Sequence, residues 1–264
     1  MFFSDDSQKE AFYNWLKIEY NKLFEGWNFS YISETGRIDS EPLSWSYASL
    51  VLREIQNIES MLDMGTGGGE FLSYLQPLPP FTCATESYKP NVKIACQKLE
   101  PLEVQVFEIE ADDKLPFPDE IFDLIINRHE SYNVSEVYRI LKPGGRFITQ
   151  QVGGSNCTDL NRALGAAPDF GLTHWNLHFA LKELQESHFR ILEQKEEFPY
   201  NRFYDVGAIV FYLKAIPWQI PDFSVEKYFD NLDSLRCRIE EKGFLDFRSH
   251  RFLIVATKDE QILF

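Results

Sequence analysis

Met61-Leu62-Asp63-Met64-Gly65-Thr66-Gly67-Gly68-Gly69-Glu70-Phe71-Leu72 is the stretch on which the reading of this chain turns. A short apolar run ends at Met64, four glycines follow within five residues, and apolar residues resume at Phe71. That order spells strand, tight turn and helix start. Glycine lets the backbone turn sharply and come close to a ligand where a Cβ would collide. The same pattern also serves as an ordinary strand-to-helix connection, so the flanking sequence has to decide.

Outward from it, short apolar runs alternate with turns and amphipathic stretches, as in βαβ units with a mostly parallel sheet. The expected strands are 60–64, 82–86, 104–108, 122–127, 146–152, 190–196 and 250–257. Acidic residues fall where successive strands end. Glu86 closes the second strand 23 positions after Asp63, where a carboxylate accepts from both hydroxyls of a ribose. Glu110-Ala111-Asp112-Asp113 follows the third strand, where a carboxylate accepts from an adenine amino group. The fourth strand runs through Asn127 into Arg128-His129-Glu130, and Glu136 to Phe147 ends a helix on Pro143-Gly144-Gly145 before the fifth strand opens. All these positions gather at the carboxyl edge of an open α/β sheet, where such folds bind ligands.

From about Ser60 to Gly153 the chain resembles the class I S-adenosylmethionine-dependent methyltransferases. The resemblance is to the branch carrying Leu115-Pro116-Phe117-Pro118-Asp119 before strand four and Leu141-Lys142-Pro143-Gly144-Gly145 before strand five. It implies an α/β, Rossmann-like fold, a seven-stranded mostly parallel sheet with helices on both faces. To this the sequence adds an N-terminal helical leader (1–59) and, within a domain spanning 60–264, a substrate-cap insertion (199–245) before the last strand. It further implies S-adenosyl-L-methionine as cofactor, with Asp63 beneath the glycine loop facing the cofactor's amino group. Gly65, Thr66, Gly67 and Gly69 would shape the loop and Glu86 would bind the ribose. Asp112, or alternatively Asp113, would meet the adenine, because the family's usual Asp-Ala pair stands here as Ala111-Asp112. Asn127 and Arg128 would line the methionine side.

A sulfonium is already an activated methyl donor, so such enzymes need a general base only when the acceptor must lose a proton. His129 is placed for that role; packing or helix capping is the competing account. His174 and His178, four apart, lack the accompanying glutamate of a metal motif, so no metal is expected and a structural role is the reading.

The leader carries apolar Phe12, Trp15, Leu16, Ile18, Tyr20 and Leu23 at helical spacing within 8–24, and a second helix is expected over 46–58. The insertion holds an aromatic-rich piece, 203–220, and an expected helix over 225–242. Trp27, Tyr31, Trp45, Tyr47, Tyr200, Phe203, Tyr204, Tyr212 and Trp218 line an acceptor pocket or form the cap's own core.

A net charge of -15 opposes nucleic-acid binding without a local basic patch, and none is visible. The partner expected is therefore a small-molecule acceptor. No apolar run reaches the roughly 20 residues of a membrane span, and Met1 to Asp6 lacks the basic and apolar regions of a signal peptide, so a cytoplasmic protein is expected. Cys83, Cys96, Cys157 and Cys237 form no Cys-x-x-Cys pair and read as free thiols. Two other functions stay open. Residues 205–213 with Pro217-Trp218 faintly resemble the tail of ribosomal RNA guanine methyltransferases, whose N-terminal cysteine-rich zinc module has no counterpart here. The other is a non-catalytic cofactor-binding module that kept the fold.

Overall fold

The computed structural model describes residues 5–24, 27–167 and 171–259, so residues 1–4, part of the stretch read for a signal peptide, lie outside it. In chain order the first elements are α1 (Asp5–Tyr20), α2 (Ser30–Ser33), β1 (Ile38–Ser40), α3 (Tyr47–Glu54), β2 (Ser60–Met64), α4 (Glu70–Tyr74), β3 (Phe81–Glu86), α5 (Lys89–Leu99) and β4 (Gln105–Glu108). Then come β5 (Phe122–Arg128), α6 (Val134–Ile140), β6 (Leu141–Val152), α7 (Thr158–Ala163), α8 (Leu177–Glu186) and β7 (Phe189–Glu197). The last are β8 (Tyr200–Phe203), α9 (Val206–Ala215), α10 (Val225–Lys242), β9 (Leu245–Arg248) and β10 (Arg251–Lys258). The chain divides into two compact units, Leu43–Gly154 with His174–Glu197 and Arg251–Phe264, and Met1–Pro42 with Ser155–Thr173 and Phe198–His250.

The first of these, the sheet unit, holds a seven-stranded sheet in the order β4-β3-β2-β5-β6-β10-β7, with β10 antiparallel to both its neighbours. It is the expected Rossmann-like sheet, and its strands show why: successive side chains point to opposite faces and both faces are buried. On one face Leu62, Cys83, Ile125, Phe147, Phe252 and Ile254 pack with Val137 and Ile140 of α6 and Ala180 and Leu184 of α8. On the other, Met61, Ala84, Leu124, Ile126, Ile148, Leu253 and Val255 pack with Val51 of α3, Leu72 of α4 and Leu99 of α5. The fifth strand of this sheet, β6, starts at Leu141 rather than at 146, because Pro143-Gly144-Gly145 sits inside it where its register with β5 shifts.

The motif before strand β5, Leu115 to Asp119, is tied to α6 by one arginine. Arg139 of α6 donates through Nη1 to the Phe117 carbonyl at 2.8 Å and to Asp119 at 2.7 Å, and through Nε to Glu136 at 2.8 Å. Glu136 in turn accepts from the Leu115 N–H at 2.9 Å. Arg139→Ala is expected to cost about 1–2 kcal/mol of stability, read as a lower urea midpoint, because carbonyl and carboxylate groups of 115–119 lose their donor. An unchanged midpoint would show that water replaces the guanidinium without loss.

The second unit has its own core. A three-stranded antiparallel sheet, β1-β8-β9, packs with α1, α2, α7, α9 and α10 around Leu16, Ile32, Leu160, Phe203, Ile209, Phe211, Leu232 and Phe247. Helix α9 is buried along nearly its whole length, and Asp205 caps it by accepting from the Ala208 N–H at 2.8 Å. Arg37 clamps the same carboxylate with two bonds, at 2.8 and 2.6 Å. The expected leader 1–59 is thus shared between the units: α1, α2 and β1 belong here, whereas α3 lies against the sheet. The expected insertion 199–245 falls in this unit with α7. Of the aromatics proposed for an acceptor pocket, Phe203 and Tyr212 are core, while Trp27 and Trp218 lie at the surface with rings 5.6 Å apart. No helix of the described residues is long and apolar enough to cross a membrane.

Candidate cofactor site

The carboxyl ends of β2, β3, β4 and β5 converge on a cavity of about 260 Å³. Met64 and Gly65 line it from β2, Thr85, Glu86 and Ser87 from β3, Ile109 to Asp112 from beyond β4, and Glu130 and Ser131 from beyond β5. Among the described residues four carboxylates line it, those of Glu86, Glu110, Asp112 and Glu130, and no lysine or arginine does. Such a cavity attracts cations and repels phosphates.

Its floor is the glycine turn. Gly65 has φ +69°, and a Cβ there would stand 2.3 Å from Cγ of Glu130. Gly69 has φ +80°, and a Cβ there would meet the Leu99 side chain at 2.8 Å, so this glycine sets how closely α4 approaches α5. Glu86 organises the turn: one carboxylate oxygen accepts from the Gly67 N–H and the other from the Tyr88 N–H, both at 2.7 Å. A buried carboxylate pinned by two backbone donors keeps its remaining lone pairs on a fixed bearing, the requirement for gripping a diol.

Asp63 is buried beneath this turn at the end of β2. Burial raises its carboxyl to about 7, with the charge of Glu86 adding to the shift. The Thr66 hydroxyl, buried and without a formed hydrogen bond, stands close enough to oppose part of it, as does Arg128. Burial likewise raises Glu130, and Glu86 and Asp112 reinforce it. A ligand cation would relieve this crowding of negative charge.

The other expected site residues divide. Asp112 lines the cavity and Asp113 does not. The Asn127 side chain is fully buried: its Oδ1 accepts from Thr149 Oγ1 at 3.0 Å and from Gln151 Nε2 at 2.5 Å, while its carbonyl accepts from Tyr47 Oη at 3.1 Å. Arg128 is exposed, its guanidinium 5.2 Å from the centre of the Phe71 ring. His129 has φ +62°, and its Nε2 lies 3.0 Å from Gln150 Nε2. His174 precedes α8 and meets the Phe179 ring edge-on at 5.2 Å. Glu130, read from sequence only as a neighbour of His129, proves to be a wall of the cavity, and Gln150, a residue of the expected strand 146–152, holds His129. Neither contact has a local signal, because side-chain direction at a strand end depends on the loop that follows.

Residues 62–149 match the family model of a methyltransferase domain, a span that ends before the second unit's residues 155–173. In structure the chain is similar to a Bacillus halodurans protein assigned as a methyltransferase, at 19% identity and a TM-score of 0.58, covering 81% of this chain and 100% of that one. It is similar to YcgJ of Bacillus subtilis at 17% identity and 0.55, covering 81% and 98%, and to the [4+2]-cyclase SpnF at 17% and 0.51, covering 81% and 80%. No curated protein matches the chain in sequence. These structural likenesses speak to the fold; the matched domain speaks to the class. Residues 62–149 thus carry a methyltransferase domain, and the sheet around it has the fold of these structures.

Proposed function

We propose that this protein transfers the methyl group of S-adenosylmethionine to a small-molecule acceptor. The carboxylate lining of the cavity carries the reading. S-adenosylmethionine brings a sulfonium and an ammonium, which suit four carboxylates, whereas a dinucleotide would bring a pyrophosphate that they repel. The fold alone would leave the reaction open, since SpnF is a cyclase on a similar fold.

In this reading Gly65, Thr66, Gly67 and Gly69 form the cradle, and Asp63 below it holds the ammonium end. Glu86 accepts from the ribose hydroxyls, Asp112 from the adenine amino group, and the Asn127–Arg128 strand end borders the methionine part. The cofactor supplies a methyl group already activated by the sulfonium, so the protein's work is to orient it and the acceptor. The acceptor is assigned to the small molecules because a chain of net charge -15 repels a phosphate backbone. We assign acceptor selection to the unit built from 1–42, 155–173 and 198–250. Residues 155–173 and 198–250 lie outside the matched methyltransferase domain.

Isothermal titration with S-adenosylmethionine and S-adenosylhomocysteine, with NAD alongside, tests the proposal. Micromolar binding of the first two alone is expected. Binding of NAD alone, or of none of the three, would overturn it.

A further inference from the structure

His129 invites assignment as a general base, but its hydrogen bonds point elsewhere. The argument starts at Trp45, whose indole nitrogen can only donate. It donates to Gln150 Oε1 at 2.8 Å, and both side chains are buried. That bond fixes which end of the Gln150 amide is oxygen, so its NH₂ is the end 3.0 Å from His129 Nε2. An amide NH₂ can only donate, so His129 Nε2 must accept. The imidazole is then neutral, its Nε2 lone pair is engaged, and its proton sits on Nδ1. Among the described residues Nδ1 has no hydrogen-bond partner, and the side chain is exposed.

The backbone supports a dedicated placement. His129 sits at φ +62° immediately after β5, a left-handed conformation that costs a non-glycine residue roughly 1 kcal/mol or more. Its N–H donates to the Gln150 carbonyl at 2.8 Å, so the residue that orients the ring also fixes the main chain beneath it.

The charged groups around the ring agree. Surrounding protein, then the guanidiniums of Arg251 and Arg128, hold its pKa well below the ordinary histidine value. Both guanidiniums favour an electron-rich group beside the ring.

We propose that His129 is a fixed neutral hydrogen-bond donor, presenting Nδ1–H to an oxygen lone pair of the acceptor substrate, and that Trp45 and Gln150 set this tautomer. The role rests on the methyltransferase reading, while the tautomer stands independently of it. The acceptor class it implies is one that enters with an oxygen lone pair to spare, such as a carboxylate or phenolate, rather than an alcohol that must give a proton to His129.

The test is a long-range ¹H–¹⁵N correlation spectrum of the whole protein labelled at histidine, recorded across about pH 5 to 8. The His129 signal, assigned by its loss in His129→Asn, a residue that tolerates the left-handed backbone, is expected to stay in the Nδ1–H form throughout. Gln150→Glu offers Nε2 an acceptor in place of a donor and is expected to move the proton to Nε2 and raise the titration midpoint by at least one pH unit. Sodium acetate, a simple lone-pair probe, is expected to shift the wild-type Nδ1 resonance and leave Nε2 nearly still. An Nε2–H tautomer, an ordinary titration near 6.5, or an Nδ1 resonance indifferent to acetate would overturn the proposal. Failure of the cofactor titration would remove the methyltransferase reading and leave these spectra unaltered.

Discussion

Asp63→Asn is expected to make the protein more stable at neutral pH and to leave it unchanged in mild acid. The folded-state carboxyl of Asp63 titrates at about 7 because burial disfavours its charged form, against an ordinary value of 3.8. Between those values the folded chain keeps a proton that the unfolded chain has lost, so stability is fully present below about pH 4 and falls as pH rises towards 7. At one pKa unit per 1.36 kcal/mol the ceiling on the loss is about 4 kcal/mol. Asparagine cannot ionise, but its buried amide still needs partners, so the expected gain at about pH 8 is nearer 2 kcal/mol. Urea unfolding of both proteins at about pH 4 and 8 reads it directly. A variant destabilised equally at both would mean that Asp63 is a satisfied anion in the free protein. With Asp63 in its proposed place by the ammonium, the same shift predicts that S-adenosylmethionine expels a proton when it binds below about pH 7. Titration heats would then differ between buffers of different ionisation enthalpy.

Glu86→Ala is expected to weaken S-adenosylmethionine binding by about a hundredfold, or about 2.7 kcal/mol. Two losses combine. The Gly67 and Tyr88 N–H groups each lose an acceptor at 2.7 Å, which loosens the turn and the start of α5, and in the proposed ribose-binding role the hydroxyls lose theirs. Glu86→Gln separates the two, since its single oxygen can serve only one backbone donor. An intermediate affinity is expected for it, by titration calorimetry. Affinity in Glu86→Ala within twofold of the parent would take Glu86 out of the ribose-binding role.

Much of the sheet unit was legible in the sequence because its determinants are local. Seven strands were expected near their observed positions, β2 and α10 at the very residues where they form, since period-two burial, glycine turns and caps act over a few residues. Glu86 and Asp112 pointed to the cavity for the same reason: in a parallel sheet the strands and the loops that follow them meet at one edge. The short strands β1, β8 and β9 were not foreseen. Three or four residues carry no readable alternation, and their pairing joins Ile38 to Phe203 and Tyr200 to Arg248. The partition of the leader at Pro42 was equally hidden, because helices amphipathic to similar degrees do not state which core they will join.

What the sequence by itself determined is therefore the sheet, its glycine turn and the carboxylates of Glu86 and Asp112 at its edge. Each is written in residues that act through their own backbone and nearest neighbours. Only the tertiary structure decided that Glu130 walls the cavity, that Arg139 ties 115–119 to α6, and that Trp45, 105 positions from Gln150, orients the amide that holds His129 neutral. A donor and its acceptor recognise each other by position in space, and no spacing along the chain encodes that meeting.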